Sequence, residues 1–366
     1  MFRFLSHPLP CLSAIGLFLS GGLLPANPSH QPLNEPTAVG VFPGGVQGTS
    51  ARHNAIAFDA AGNSVVVFGS THNQLAGDPY LQRFDADGDP LGTPVLVNPA
   101  LNSLEYAPSV AMAPGGDFVV TWQSNGPDGD NFGILARAFH ANGTPKGPEF
   151  LVNEVTAGGQ DRPSVVIDAL GNFAITWGTG YPDKVLSLRT FHADGSPRSA
   201  ETSVTALARS GISLAMMPNG DLMVVWGVGT PSFEIMGRCY DLDANPRGAE
   251  FMVNEQVAGN QMNPFVAAGE NGEFVVLFAE SGFPWTTEGR RFVANGNALS
   301  SQFEVGPKEY GEPVPPRAAV TATGELVVTW HAAPPNENFQ VFARAFAVDN
   351  SPLTDVFQVN TATGAG

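Results

Sequence analysis

The chain has 366 residues, 43% of them hydrophobic and only 14% charged, with 42 glycines and 31 prolines. That composition fits a turn-rich, all-β protein with ample core material and excludes a disordered chain. A formal net charge of −17 at pH 7 makes a surface that repels nucleic acid and anionic membranes.

In chain order, the N-terminus "MFRFLSHPLPCLSAIGLFLSGGLLPANPSH" carries one positive charge, Arg3, an apolar run from Leu12 to Leu24, and a small residue, Ala26, where cleavage would fall. This is the layout of a secretory signal peptide over residues 1-26, with a linker at 27-36. The run is short for a membrane-spanning helix, and Gly21 and Gly22 interrupt it. The expected location is secreted, extracellular or periplasmic, after signal-peptide cleavage. Cys239 is then the sole cysteine, so packing rather than an internal disulfide must hold the fold. Nothing else in the chain reads as a membrane span.

Beyond the linker one phrase recurs. "GDFVVTWQS", Gly116 to Ser124, returns as "GNFAITWGT", "GDLMVVWGV", "GEFVVLFAE" and "GELVVTWHA". A glycine and an aromatic stand six residues apart each time: Gly62 and Phe68, Gly116 and Trp122, Gly171 and Trp177, Gly220 and Trp226, Gly272 and Phe278, Gly324 and Trp330. Such a fixed offset, repeated about every 50 residues, marks six tandem structural units. Each holds four extended segments, as in "PSVAMA", "DFVVTWQS", "GILARAFHA" and "EFLVN". The recurring glycine supplies the positive φ of a hairpin, and the second hairpin is marked by "DADG", "HANG", "HADG", "VANG" and the degenerate "DLDA" and "AVDN".

On the second strand of a unit Phe118, Val120 and Trp122 share one face while Val119 and Thr121 share the other, and both faces are largely apolar. Sheets covered on both sides by neighbouring copies are what a propeller provides. The expectation is an all-β, six-bladed β-propeller built from six four-stranded antiparallel repeats of about 50 residues. It would occupy 37-362, with blades near 51-98, 106-153, 162-205, 211-254, 263-306 and 316-360. A β-solenoid suits a unit with two tight hairpins less well. The segment "TAVGVFPGG" from Thr37 is left over; it either closes the ring on the last blade or lies across an edge.

The phrases "VVTWQSNGPDGDNFGILARAFHANGTPKGPEFLVN" and "LQRFDADGDPLGTPVLVN" resemble repeats of secreted and surface β-propeller-type proteins of bacteria, over roughly Asn54 to Asn360. The resemblance implies export and a propeller-like fold, and carries no catalytic residues with it.

Arg137, Arg189, Arg238, Arg290 and Arg344 each stand two residues before an aromatic on the third strand, where the first unit has Gln82. Guanidinium groups bind anions, but the third strand of a blade lies away from the axis. Five copies of one internal contact, stacking on the ring or capping carbonyls, is the simpler expectation. Asp85, Asp87 and Asp89 resemble the start of a calcium loop, yet Pro90 stands where glycine is needed and no distant glutamate follows. A solvated turn is preferred and no cofactor is implied, calcium being the ion this run would suit. Asn125, Asp128 and Asp130 read as an ordinary polar loop. His140 and His192 fall on turns, and no metal triplet emerges. The spacing from Asp168 to Trp177 is longer than a sialidase aspartate box.

Loops between second and third strands differ in every unit and carry rings: Tyr80, Phe132, Tyr181, Phe233, Phe283, Trp285 and Phe339. A rigid scaffold presenting variable aromatic loops is a common recognition surface. Trp285, Phe339, Tyr181, Phe233 and Phe283 are the binding candidates; the alternative is that such rings cap the blade cores. The functional expectation is a secreted, monomeric, non-catalytic propeller that binds or scaffolds, recognising a protein or glycan. Its rivals are a carbohydrate-active or other hydrolase at the axis, which needs converging carboxylates, and a purely structural surface repeat.

Overall fold

The computed structural model describes residues 47–48, 55–70, 77–99, 104–180, 184–208, 210–229, 232–257, 259–281, 286–306, 316–332 and 340–359. They form six antiparallel sheets, each in sequence order, arranged as a six-bladed β-propeller. In blade 1 the innermost strand comes in two pieces, Gln47–Gly48 and Ile56–Phe58, both paired with Ser64–Ser70, followed by Asp78–Phe84 and Val95–Leu96. Blade 2 runs Glu105–Met112, Phe118–Asn125, Phe132–Phe139, Phe150–Leu151; blade 3 runs Gln160–Ile167, Phe173–Thr179, Lys184–Phe191, Thr202–Ala208. Blade 4 is Ser210–Met216, Leu222–Val228, Glu234–Tyr240, Phe251–Met252, and blade 5 is Asn260–Ala268, Glu273–Ser281, Thr286–Val293, Phe303–Glu304. Arg317–Val320, Leu326–Ala332, Gln340–Phe346 and Phe357–Gln358 make blade 6. First strands of successive blades pack on one another, so they surround the axis. No helix among the described residues is long and apolar enough to cross a membrane.

The repeated glycine closes the first hairpin of every blade. In blade 2 Gly116 has φ 92° and its N–H donates to Ala113 O at 2.9 Å, while Ala113 N–H donates to Asp117 O at 2.8 Å. This is a three-residue loop whose last residue is left-handed, a conformation that favours glycine. The degenerate second hairpins put Ala244 (φ 60°) and Asn350 (φ 67°) in the same conformation.

The two-sided apolar pattern now has its cause. Phe118, Val120 and Trp122 pack against Val65, Val67, Leu81 and Val97 of blade 1, while Val119 on the opposite face joins Phe173, Ile175 and Trp177 of blade 3. Trp122, Trp177 and Trp226 are wholly buried.

Four of the five third-strand arginines fasten blade to blade. Arg189 donates through Nε to Ser199 O at 3.2 Å in its own blade and through Nη1 to Val152 O of the preceding one at 2.8 Å, its guanidinium 5.4 Å from the Phe191 ring centre. Arg137, Arg290 and Arg344 reach back likewise to the carbonyls of Val97, Val253 and Val305. The internal reading of these arginines therefore holds. In blade 1 the Gln82 side chain instead donates to Arg83 O and Gly92 O of its own blade. The "VN" phrase has a similar explanation. Asn153 Oδ1 accepts from Ile134 N–H at 2.9 Å and its Nδ2 donates to Asp128 Oδ2 at 2.8 Å, pinning the start of the link to the next blade.

Thr37 to Gly45 lies outside the described residues, as do the signal-peptide and linker segments. The first described piece, Gln47–Gly48, extends the inner strand of blade 1, and blade 6 takes its outer strand from the C-terminal Phe357–Gln358.

Candidate functional site

Of the five rings singled out from the sequence, Tyr181, Phe283, Trp285 and Phe339 lie outside the described residues. Phe233 is half-buried at the start of a third strand. Its N–H donates to Asn260 Oδ1 at 3.1 Å and its carbonyl accepts from Gln261 N–H at 2.8 Å, tying it to the first strand of blade 5. The aspartates have local work. Asp85 Oδ1 accepts from the amides of Asp87 (3.1 Å) and Asp89 (2.8 Å), and Asp168 Oδ1 from those of Leu170 and Asn172, both at 2.8 Å. No group of three or more His, Cys, Asp or Glu among the described residues converges as a metal set. Burial pushes the Cys239 thiol up to about 12, leaving it un-ionised.

The loop-side ends of the inner strands break the repeat's regularity. Register skips between Tyr106 and Ser109, between Asp161 and Ser164, between Ser210 and Ile212, and between Met262 and Phe265. At each skip sits a left-handed residue: Ala107 (φ 49°), Arg162 (φ 55°), Gly211 (φ 47°) and Asn263 (φ 54°). These are β-bulges at the mouth of the axis, and bulges re-aim side chains. At Gly211 a Cβ would come within 2.7 Å of Pro264 Cδ and 3.2 Å of Asn263 Cα, so blade 4 needs glycine there to clear the bulge of blade 5. Arg162 has no such necessity, and a left-handed arginine costs about 1 to 2 kcal/mol.

The bulge in blade 2 gathers a surface. Tyr106 pairs with Gln123 and Phe132 with Asn125. Gln123 and Asn125 continue the alternation of Val119 and Thr121, the face turned toward blade 3. All four side chains thus occupy the same face of the loop-side end. The Tyr106 and Phe132 rings meet edge to face, 5.7 Å apart at 69°, and both are half-exposed, as is Gln123, with Asn125 exposed. Beyond them, at the corresponding place on blade 3, stand half-exposed Asp161 and Arg162, whose Nε and Oδ2 are 3.8 Å apart. The ground beneath is fixed: Asp128 holds Asn153, Asp130 Oδ2 accepts from Gly158 N–H at 2.9 Å, and Gln160 Nε2 donates to Gly158 O at 2.8 Å.

Phe132 was visible in the sequence as a loop ring. Tyr106, Gln123 and Arg162 were not picked out, although the proline after three of the bulges (Pro108, Pro163 and Pro264) is a usable sign, since proline in a strand is confined to edges and bulges.

A second polar cluster lies on blade 5. Glu288 pairs with Phe278 on one side and Glu304 on the other, near Glu280. Burial, then the charge of Glu280, pushes its carboxyl up to about 7.

No known protein family matches the chain, and no curated protein matches it. Solved structures do. A protein of unknown function from Dyadobacter fermentans is 12% identical with a TM-score of 0.55, the match covering 83% of this chain and 99% of that one. A polysaccharide lyase, the PL25 ulvan lyase, is 10% identical with a TM-score of 0.58, covering 86% and 87%. The α-L-arabinofuranosidase of Fusarium graminearum is 15% identical with a TM-score of 0.52, covering 81% and 93%. At these identities the likeness is one of fold.

Proposed function

We propose that the protein is an exported, glycan-recognising propeller that binds its ligand on the loop-side surface of blades 2 and 3 without transforming it. One observation carries the reading: the half-exposed Tyr106–Phe132 pair, flanked by Gln123 and Asn125 and set on a hydrogen-bonded floor. Sugar rings present apolar C–H faces edged by hydroxyl groups. An aromatic pair offers contact area at low entropic cost, and side-chain amides both donate and accept toward hydroxyls. A surface held by its own hydrogen bonds loses little freedom on binding. Two of the propellers that share this fold are described as a polysaccharide lyase and an arabinofuranosidase, which agrees with a glycan ligand.

The test is an oligosaccharide array probed with the purified chain, followed by calorimetry on the hits. Tyr106→Ala and Phe132→Ala are each expected to weaken binding by about 1 to 3 kcal/mol, the range of an interface hot spot, with a cooperative unfolding transition retained. Unchanged affinity in both variants removes the site from this surface. Release of shorter sugars from a bound glycan replaces the binding reading with the hydrolase one.

A further inference from the structure

Arg162 is the odd member among the described arginines. Arg83, Arg137, Arg189, Arg198, Arg238, Arg247, Arg290, Arg291, Arg317 and Arg344 each place a guanidinium nitrogen within 3.3 Å of an oxygen. Most of those bonds hold one blade to the next or fasten a hairpin. Among the described residues the Arg162 guanidinium donates no hydrogen bond; it forms a loose ion pair with Asp161, Nε and Oδ2 3.8 Å apart. Its side chain keeps 39% of its exposure, and its backbone is held left-handed. The same position in blade 4 is a glycine, which would adopt that conformation at no steric cost. A residue that is strained, half-exposed and held among the described residues by no more than a loose ion pair is poorly explained by stability alone.

We infer that Arg162 recognises a single oxyanion on the ligand, a carboxylate or a sulfate ester on a sugar, while Tyr106 and Phe132 hold the adjoining neutral ring. This rests on the glycan reading of the same surface. A guanidinium presents a planar fork of donors that matches two oxygens of a carboxylate or sulfate side by side. Asp161 accompanies it without closing that fork, because the 3.8 Å separation leaves no direct hydrogen bond. The rest of the molecule sets the number of charges. A net charge of −17 opposes a polyanionic chain, but at physiological salt charges more than about 8 Å away are largely screened. One oxyanion docked directly on Arg162 feels the local cation, whereas a long run of them meets the acidic surface. The ligand class is therefore an otherwise neutral oligosaccharide bearing one acidic sugar.

The experiment uses the intact purified chain and three oligosaccharides that differ only in the terminal sugar: a uronic acid, its carboxyl-reduced neutral form and a sulfate ester. Calorimetry on the natural sequence is expected to favour the acidic sugars over the neutral one by about tenfold or more, the size of a charge-assisted hydrogen bond, and the uronate and sulfate arms tell which oxyanion fits. Arg162→Gly is expected to abolish that preference and leave the melting temperature the same or higher, because glycine relieves the left-handed backbone. Equal binding of acidic and neutral forms by the natural sequence, or a preference that survives in Arg162→Gly, overturns the inference while the glycan reading stands. Failure of all three sugars to bind, together with a blank array, overturns both.

Discussion

The seam between blades 2 and 3 and the seam between blades 3 and 4 are both packed with apolar side chains but differ in the polar bonding added to that packing. At the first, Arg189 donates to Val152 O at 2.8 Å and to Glu154 Oε1 at 2.6 Å. Glu201 Oε2 accepts the amides of Glu154 (2.7 Å) and Val155 (2.9 Å), and Glu154 Oε2 accepts that of Glu201 at 3.0 Å. At the second, the equivalent Arg238 donates to Gly248 O at 3.1 Å and lies over the Tyr240 ring, both within its own blade, with no backbone carbonyl of blade 3 among its described partners. The outer strand Thr202–Ala208 and the inner strand Ser210–Met216 are separated by one residue, and Leu186, Leu188, Val204, Ala208, Ile212, Leu214 and Trp226 form a continuous apolar cluster. The seam between blades 4 and 5 repeats the polar solution, with Arg290 on Val253 O and Glu255, and Gln302 in the place of Glu201. Where the link is long enough to present backbone amides beside the outer strand, a carboxylate or amide collects them. Where the link is a single residue, apolar area carries most of the seam, with the Arg198–Asp243 ion pair at 2.7 Å across its exposed edge.

That contrast can be broken at its apolar side first. Trp226→Ala removes a wholly buried ring from the cluster between blades 3 and 4 and is expected to lower stability by about 3 to 5 kcal/mol, through lost transfer energy and the cavity left behind. A denaturation midpoint equal to that of the natural sequence would show that the cluster does not hold this seam. On the polar side, Arg189→Ala strands a carbonyl and a carboxylate and is expected to cost about 2 to 3 kcal/mol, against less than about 1 kcal/mol for Arg238→Ala, which loses one bond at a partly exposed site. Equal losses in urea titrations of the two variants would erase the distinction drawn here.

The smallest effect sharpens the contrast through pH. Glu288 lies on the face of blade 5 turned toward blade 4, two residues before Arg290. Folding raises its carboxyl from 4.5 to about 7, so the native state binds a proton that the unfolded chain has released. Its contribution is fully present below 4.5 and is lost as pH rises through about 7. With solvent screening the loss is about 1 kcal/mol. Glu288→Gln should flatten stability across that window, as read by melting temperature against pH, and a slope identical to that of the natural sequence would show that another group governs it.

The architecture was legible because it is repeated: one glycine at φ near 90° and one buried ring, copied six times, betray a hairpin and a core position that a single copy would not. The arginines were legible for the same reason. The candidate site was not, because it sits where the copies disagree. Tyr106, Asp161 and Met262 hold equivalent places in three inner strands and share no chemistry. A bulge also shifts which face a residue joins, so period-two reasoning carried through Pro108 would assign Tyr106 to the wrong side. A left-handed alanine, arginine or asparagine leaves little trace in sequence, whereas the glycine of a hairpin announces itself.

Among the described residues, each blade opens with an inner strand and ends with an outer strand drawn from the same stretch of chain. The unit of heredity and the unit of architecture therefore coincide. An unequal crossover between two neighbouring copies would insert or excise a whole wedge with its hairpins and its buried ring in register. The lineage can in this way change the circumference of the ring in single steps, and each copy is free to diverge at its loop-side end while the machinery that seats it beside its neighbours is inherited whole.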